Sequence, residues 1–180
     1  MKKLILGIGI PASGKSSFLE PFALQFGYKY LCIDQIRAEL GVERDDPSAS
    51  SRNPVTFEVW DIVRERTRLY LQSSENTKGV IVDATFVNLF LRKQFISIGH
   101  EYEVKVTGFF MNTTPEVAWN RNLLREHPVP ETEFWDRIER LKTNPPLIDE
   151  GFDSLFILNE TGLVRAQNGS IKNFGAEFKT

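Results

Sequence analysis

Gly9, Gly14, Lys15 and Ser16 fall in the order G-x-x-x-x-G-K-S within "GIPASGKSS", residues 9 to 17. Glycines at those two places let backbone N–H groups curl around phosphate oxygens, a lysine there neutralises the outer phosphates, and a serine hydroxyl can ligate Mg2+. Pro11, Ala12 and Ser13 fill the loop between the glycines, with Pro11 stiffening one position, and Ser17 follows. The chemistry such a loop can do is to hold a nucleotide polyphosphate, ATP in the first instance. A lysine placed like Lys15 also stabilises charge that develops on a phosphoryl group in transfer.

Three further groups could act on the other side of that phosphate. In "CIDQIR", Asp34 can accept the proton of an attacking hydroxyl, and Arg37, three residues on, can hold a phosphate or carboxylate of the acceptor. In "VIVDAT", Asp83 ends an apolar run, where a carboxylate can support Mg2+ or orient its neighbours. In "NRNLLREHPVPE", Arg121 and Arg125 are four apart and share a helix face before a proline-broken segment. Two such arginines suit a lid, about 121–132, that closes over the transferring group and neutralises its oxygens. Plain alternatives exist for each: a helix cap for either aspartate, a solvated basic helix end for the arginines. Asn88 and Arg92 stand on the segment after Asp83, where they could touch substrate or nucleotide.

These residues need elements to carry them. "LILGIGI" reads as a buried strand ended by Pro11, and 15–26 as a helix closed by Gly27. "YKYLCID", Tyr28 to Asp34, reads as a second strand and "QIRAEL" as a short helix. Helical spacing of Val55, Val59, Ile62, Val63 and Tyr70 predicts a long helix from Pro54 to about Gln72. "GVIVDAT" is a third strand, "LFLRKQFISIG" a helix, "VKVTGFFM" a fourth strand. Thr113 and Glu116 have capping-box spacing beside Pro115, so a helix is expected there, to about Arg125. "ETEFWDRIERL" is a further helix and "FDSLFIL" a last buried strand; Asn168-Gly169 predicts a C-terminal hairpin over 162–174. Phe57, Trp60 and Trp135 are taken as core. Strands alternating with helices give an α/β fold: a three-layer sandwich around a mainly parallel five-stranded sheet, with a small helical lid. The phosphate loop sits between the first strand and its helix, which is the context it requires.

Length and composition agree with one domain over 1–180. The formal charge of -2 excludes a globally basic nucleic-acid binder but not a local basic groove. Lys2, Lys3 and the apolar run could open a secretory signal, but two glycines interrupt the run and Pro11 follows it. No stretch has the length of a membrane span. The lone Cys32 cannot form an internal disulfide, which fits a reducing, cytoplasmic setting. Neither His100 nor His127 has partners at metal-site spacing. A switch GTPase would need a guanine-reading N/T-K-x-D motif, which is absent, and the small size favours a kinase.

Together, "MKKLILGIGIPASGKSS", the D-x-x-R of Asp34 to Arg37, "GVIVDATFVNLFLRK" and "WNRNLLREHPVPE" resemble the P-loop kinases of the phage polynucleotide kinase type, a branch of the adenylate-kinase-like group. The similarity spans about residues 1 to 158. What the resemblance implies is transfer of the γ-phosphate of ATP, with Mg2+, to the 5'-hydroxyl of an RNA or DNA end. Asp34 would be the general base, Arg37 a contact to an acceptor phosphate, Lys15 and Arg125 the γ-phosphate clamp, and Arg121 a nucleotide or lid contact. Two departures stand out: Gln35 replaces a second acidic residue, and Asp83 matches after a one-residue shift. Related kinases of small molecules carry strand ends closer to "DAT", so a nucleoside, sugar or antibiotic hydroxyl is the alternative acceptor. A module that binds ATP without transferring phosphate is the reading from another class.

Overall fold

The computed structural model describes residues 2–42, 54–74, 77–160 and 164–166. Its strands are β1 (Lys3–Ile8), β2 (Lys29–Cys32), β3 (Gly79–Asp83), β4 (Lys105–Met111), β5 (Ser154–Leu158) and β6 (Val164–Ala166). The helices are α1 (Lys15–Phe26), α2 (Ile33–Glu39), α3 (Pro54–Gln72), α4 (Leu89–Glu101), α5 (Pro115–Leu123) and α6 (Glu131–Thr143). They form one sheet in the order β2-β3-β1-β4-β5-β6, with the first five strands parallel and β6 antiparallel to β5. The five parallel strands are those expected; β6 adds a short edge, and the rest of the expected hairpin lies outside the described residues.

The sheet is apolar on both faces because helices cover both. Along β1, Leu4, Leu6 and Ile8 enter one core while Ile5 enters the other, as strand alternation requires. The first core gathers Val59 and Val63 of α3, Phe95 and Ile98 of α4, and Phe134 and Ile138 of α6. The second is built on α1, whose Phe22 makes ring contacts with Phe26, Tyr28 and Phe109. Trp60 packs half-buried on Phe86 and Phe95, but Phe57, expected in the core, is 58% exposed. No helix among the described residues is long and apolar enough to cross a membrane.

Two boundaries differ from the sequence reading, for identifiable reasons. β2 stops at Cys32, and α2 takes Ile33 and Asp34 into its first turn, because Ile33 and Ile36 at helical spacing both reach the core. Asp34 is therefore a helix residue just past a strand end rather than part of the strand. At α5, Thr114 rather than Thr113 is the cap residue, and neither closes a capping box; the Thr113 hydroxyl donates instead to the Ser13 carbonyl at 2.9 Å.

The chain winds through β2 and β3 on one side of β1 and through β4 and β5 on the other. Such a reversal opens a crevice beyond the carboxyl ends of the central strands, where ligands bind in open α/β sheets.

Candidate active site

The phosphate loop bridges β1 and α1. Gly9 N–H donates to Thr85 O at 3.0 Å, tying its start to the end of β3, and the Thr113 bond ties its middle to the end of β4. Gly9 has φ 150°, and a Cβ there would stand 2.9 Å from both Met111 O and Ser13 Oγ. Gly14 has φ 94° and caps α1 in a left-handed conformation, so glycine is required there for the backbone alone. No acidic residue occupies the first turn of α1, and its N-terminal N–H groups carry favourable partial charge for an anion. Lys15 is buried, and its Nζ donates to the Gly9 and Ile10 carbonyls, each at 2.9 Å.

Asp83, 3% exposed, lies at the end of β3 against the start of α1. Its Oδ2 accepts from Ser16 Oγ and from the Tyr30 hydroxyl, both at 2.6 Å. Burial, and the Asp83 carboxylate beside it, push the Tyr30 phenol well above its ordinary range, so Tyr30 stays a donor. A serine hydroxyl backed by a buried carboxylate, next to a glycine-cleared loop, is a hard oxygen donor set. It fits Mg2+ carried on nucleotide phosphates, with Ser16 as protein ligand and Asp83 behind it.

These groups open into a cleft of about 640 Å3. Pro11 through Ser17, Asp34, Arg37, Asp83, Arg121 and Arg125 all line it, so nearly every residue singled out from the sequence reaches one site. Gly9 shapes the loop from behind. Arg121 Nη1 lies 3.9 Å from where a Cβ on Gly14 would be, which puts the guanidinium over the loop. Arg37 sits one turn beyond Asp34 on α2 and donates to its Oδ1 at a long 3.4 Å, and burial lowers the Arg37 pKa.

A sequence profile of an AAA domain family matches residues 4–143. The chain belongs to that AAA domain family. A curated relative, the bifunctional polynucleotide phosphatase/kinase of Schizosaccharomyces pombe, is 20% identical over 159 residues, covering 86% of this chain. The chain spans only about a third of that relative's length, 33%. A solved structure from Chloroflexus aurantiacus superposes with a TM-score of 0.68 at 19% identity, over 88% of each chain. A sugar kinase from Janibacter sp. HTCC2649 gives 0.62 at 16% identity, over 88% of this chain and 86% of that one. The fold of this AAA domain is that of the P-loop kinases.

Not every candidate reaches the cleft of the AAA domain. Arg92 is fully buried away from it, its guanidinium held by both Glu150 oxygens and by the Phe86 and Asn144 carbonyls. Asn88 is the N-cap of α4, its side chain accepting from Phe90 N–H at 2.8 Å. Conversely, the sequence reading passed over Tyr30 and Arg137 and took Thr113 only as a helix cap. Arg137, on α6, lines the cleft and donates to Glu133, one turn before it. Only its place on the helix after the arginine pair could have drawn attention to it.

Proposed function

We propose that this protein transfers the γ-phosphate of ATP to a hydroxyl, and specifically to the 5'-hydroxyl of a polynucleotide. The observation that carries the reading is the convergence, in one cleft, of Asp34 with Lys15, Arg121 and Arg125. A module that only sensed ATP would have no use for a carboxylate lining the same cleft as the phosphate loop.

The reaction has a simple balance. The acceptor oxygen bonds to the γ-phosphorus as the bond from that phosphorus to the β,γ-bridging oxygen breaks, ADP departs, and the hydroxyl proton passes to an Asp34 oxygen. Lys15 exchanges its two carbonyl contacts for phosphate oxygens. Arg125, on the segment joining α5 to α6, closes as part of a lid and neutralises the equatorial oxygens, while Arg121 holds the nucleotide over Gly14. Ser16, backed by Asp83, would hold Mg2+, which when bound would supply further neutralisation of phosphate charge. Arg37 positions a phosphate of the acceptor.

The yeast relative's name supports the polynucleotide acceptor. A small hydroxyl acceptor is the second reading, and a specific observation favours it. A polynucleotide of several phosphates calls for a basic track leading from Asp34, but Arg64 and Arg66 of α3 are instead paired with Asp61 and Glu39 outside the cleft. Two further arginines, Arg44 and Arg52, lie outside the described residues. The test is transfer from labelled ATP to a 5'-hydroxyl oligonucleotide, a nucleoside and a sugar panel, by wild type and Asp34→Ala. Oligonucleotide labelling lost in the variant is the expected result. Labelling of sugars alone overturns the acceptor, and full activity of Asp34→Ala overturns the base.

A further inference from the structure

Two guanidiniums meet on the acceptor side of the cleft, brought there by different helices. Arg37 comes from α2 and Arg137 from the middle of α6; both line the cleft with Asp34, and their side chains are 19% and 22% exposed. Burial lowers the pKa of Arg137, and the charge of Arg37 nearby lowers it further. Glu133 serves both, bonding Arg137 and favouring the charged form of Arg37.

The hydrogen bonds leave capacity over. Among the described residues, Arg37 has one long contact to Asp34, and Arg137 uses one terminal nitrogen on Glu133. A guanidinium carries five N–H donors in a rigid fork. Like charges brought together in a half-buried place repel, and an oxyanion lying between them turns that repulsion into two charge-assisted interactions.

We propose that Arg37 and Arg137 form one oxyanion subsite, so that the acceptor is a hydroxyl compound bearing a phosphate or carboxylate near its reacting hydroxyl. Arg137 is the residue that sets this preference. The role of the hydroxyl rests on the phosphotransfer reading above; the anion subsite is a binding property and is tested as one.

The experiment is calorimetric binding to the full chain with MgADP saturating the phosphate loop. Adenosine 3'-monophosphate is compared with adenosine, and gluconate with glucose, for wild type, Arg137→Gln and Arg137→Lys, with thermal melting of each. The expected result is that one anion binds about tenfold or more tighter than its neutral partner, and that Arg137→Gln removes most of this preference. Arg137→Lys, which keeps the charge without the fork, retains part of it. Which anion wins separates a nucleotide phosphate from a sugar acid. Equal binding of anionic and neutral partners in wild type overturns the subsite. So does an Arg137→Gln protein that melts normally and keeps the ratio, or one that melts early and weakens both partners alike. Anion-dependent binding without γ-phosphate transfer to any of the four compounds or to a 5'-hydroxyl oligonucleotide supports the subsite and refutes the phosphotransfer reading.

Discussion

Replacing Arg92 by methionine separates structure from chemistry. The guanidinium is fully buried and makes four bonds: Nε to Glu150 Oε2 at 2.6 Å, Nη2 to Oε1 at 2.6 Å, Nη1 to Phe86 O at 2.9 Å and Nη2 to Asn144 O at 3.0 Å. Methionine keeps the apolar stem but leaves a carboxylate only 7% exposed with no counter-charge, and two carbonyls without their donor. Breaking a buried pair from one side costs about 3–5 kcal/mol. Total stability for a domain is about 5–15 kcal/mol, so the loss is a large share of it. For a chain of this size it corresponds to a fall in Tm of roughly 6–20 °C. Guanidinium chloride unfolding followed by circular dichroism measures it. Adding Glu150→Gln removes the stranded charge, and the double variant should recover at least ~1 kcal/mol. At a temperature where wild type and variant are both folded, the KM for ATP should not move, because Arg92 is no part of the cleft. A stability loss under about 1 kcal/mol, or a strictly additive double variant, refutes the reasoning.

Gly9→Ala should impair nucleotide binding more than Gly14→Ala: at Gly9 a methyl meets the Met111 carbonyl and Ser13 Oγ at 2.9 Å, whereas at Gly14 the nearest group is Arg121 Nη1 at 3.9 Å and the cost is backbone strain of about 1–2 kcal/mol. Titration with a fluorescent ATP analogue ranks the two, and the reverse order would sink the account of the loop. Asn122 is fully buried and closes the segment after α5 by two 2.9 Å bonds, donating to Val129 O and accepting from Val129 N–H. Asn122→Ala leaves both backbone groups without their partner and should cost about 2–4 kcal/mol, with limited proteolysis cutting first between Leu124 and Pro130. At high pH, Tyr28, whose pKa burial pushes up to about 12, and Tyr30, raised further, keep their protons in the folded state, while the unfolded chain releases them near pH 10. Their contribution is thus complete below pH 10 and declines above it, by up to about 1.4 kcal/mol per pH unit for each tyrosine. Tyr28→Phe should flatten the fall of urea-unfolding stability between pH 10 and 12; an unchanged slope would contradict the assignment.

The phosphate loop was legible because its requirements are local. Gly9, Gly14, Lys15 and Ser16 act through backbone angles and neighbouring atoms, so spacing alone carries them, and α1 begins at Lys15 and closes before Gly27 as its caps imply. Asp34, Arg37, Arg121 and Arg125 were legible as chemistry but not as geometry, since the cleft that unites them depends on strand order. Arg92 misled because a charged residue near a strand end has the same signature whether it meets substrate or a buried Glu150 from much later in the chain. Thr113 was read as a cap, where a hydroxyl one residue from a helix start has a common role; its real partner is Ser13. Tyr30 and Arg137 carried no local signal, because what defines each is a partner or a cleft reached only by folding.

Five cations, Lys15, Arg37, Arg121, Arg125 and Arg137, face the cleft against Asp34, Asp83 and Glu160, on a chain whose formal charge is -2. Far from the protein an anion meets weak repulsion; within a Debye length of the mouth, about 8 Å at physiological ionic strength, it meets attraction instead. Capture is then a question of arrival direction: encounters elsewhere on the surface are short-lived, and those at the mouth are prolonged and turned phosphate-first. The same molecule that weakly repels anions in bulk thus draws them in at this mouth, with an on-rate that falls as salt shortens the reach of the cleft's field.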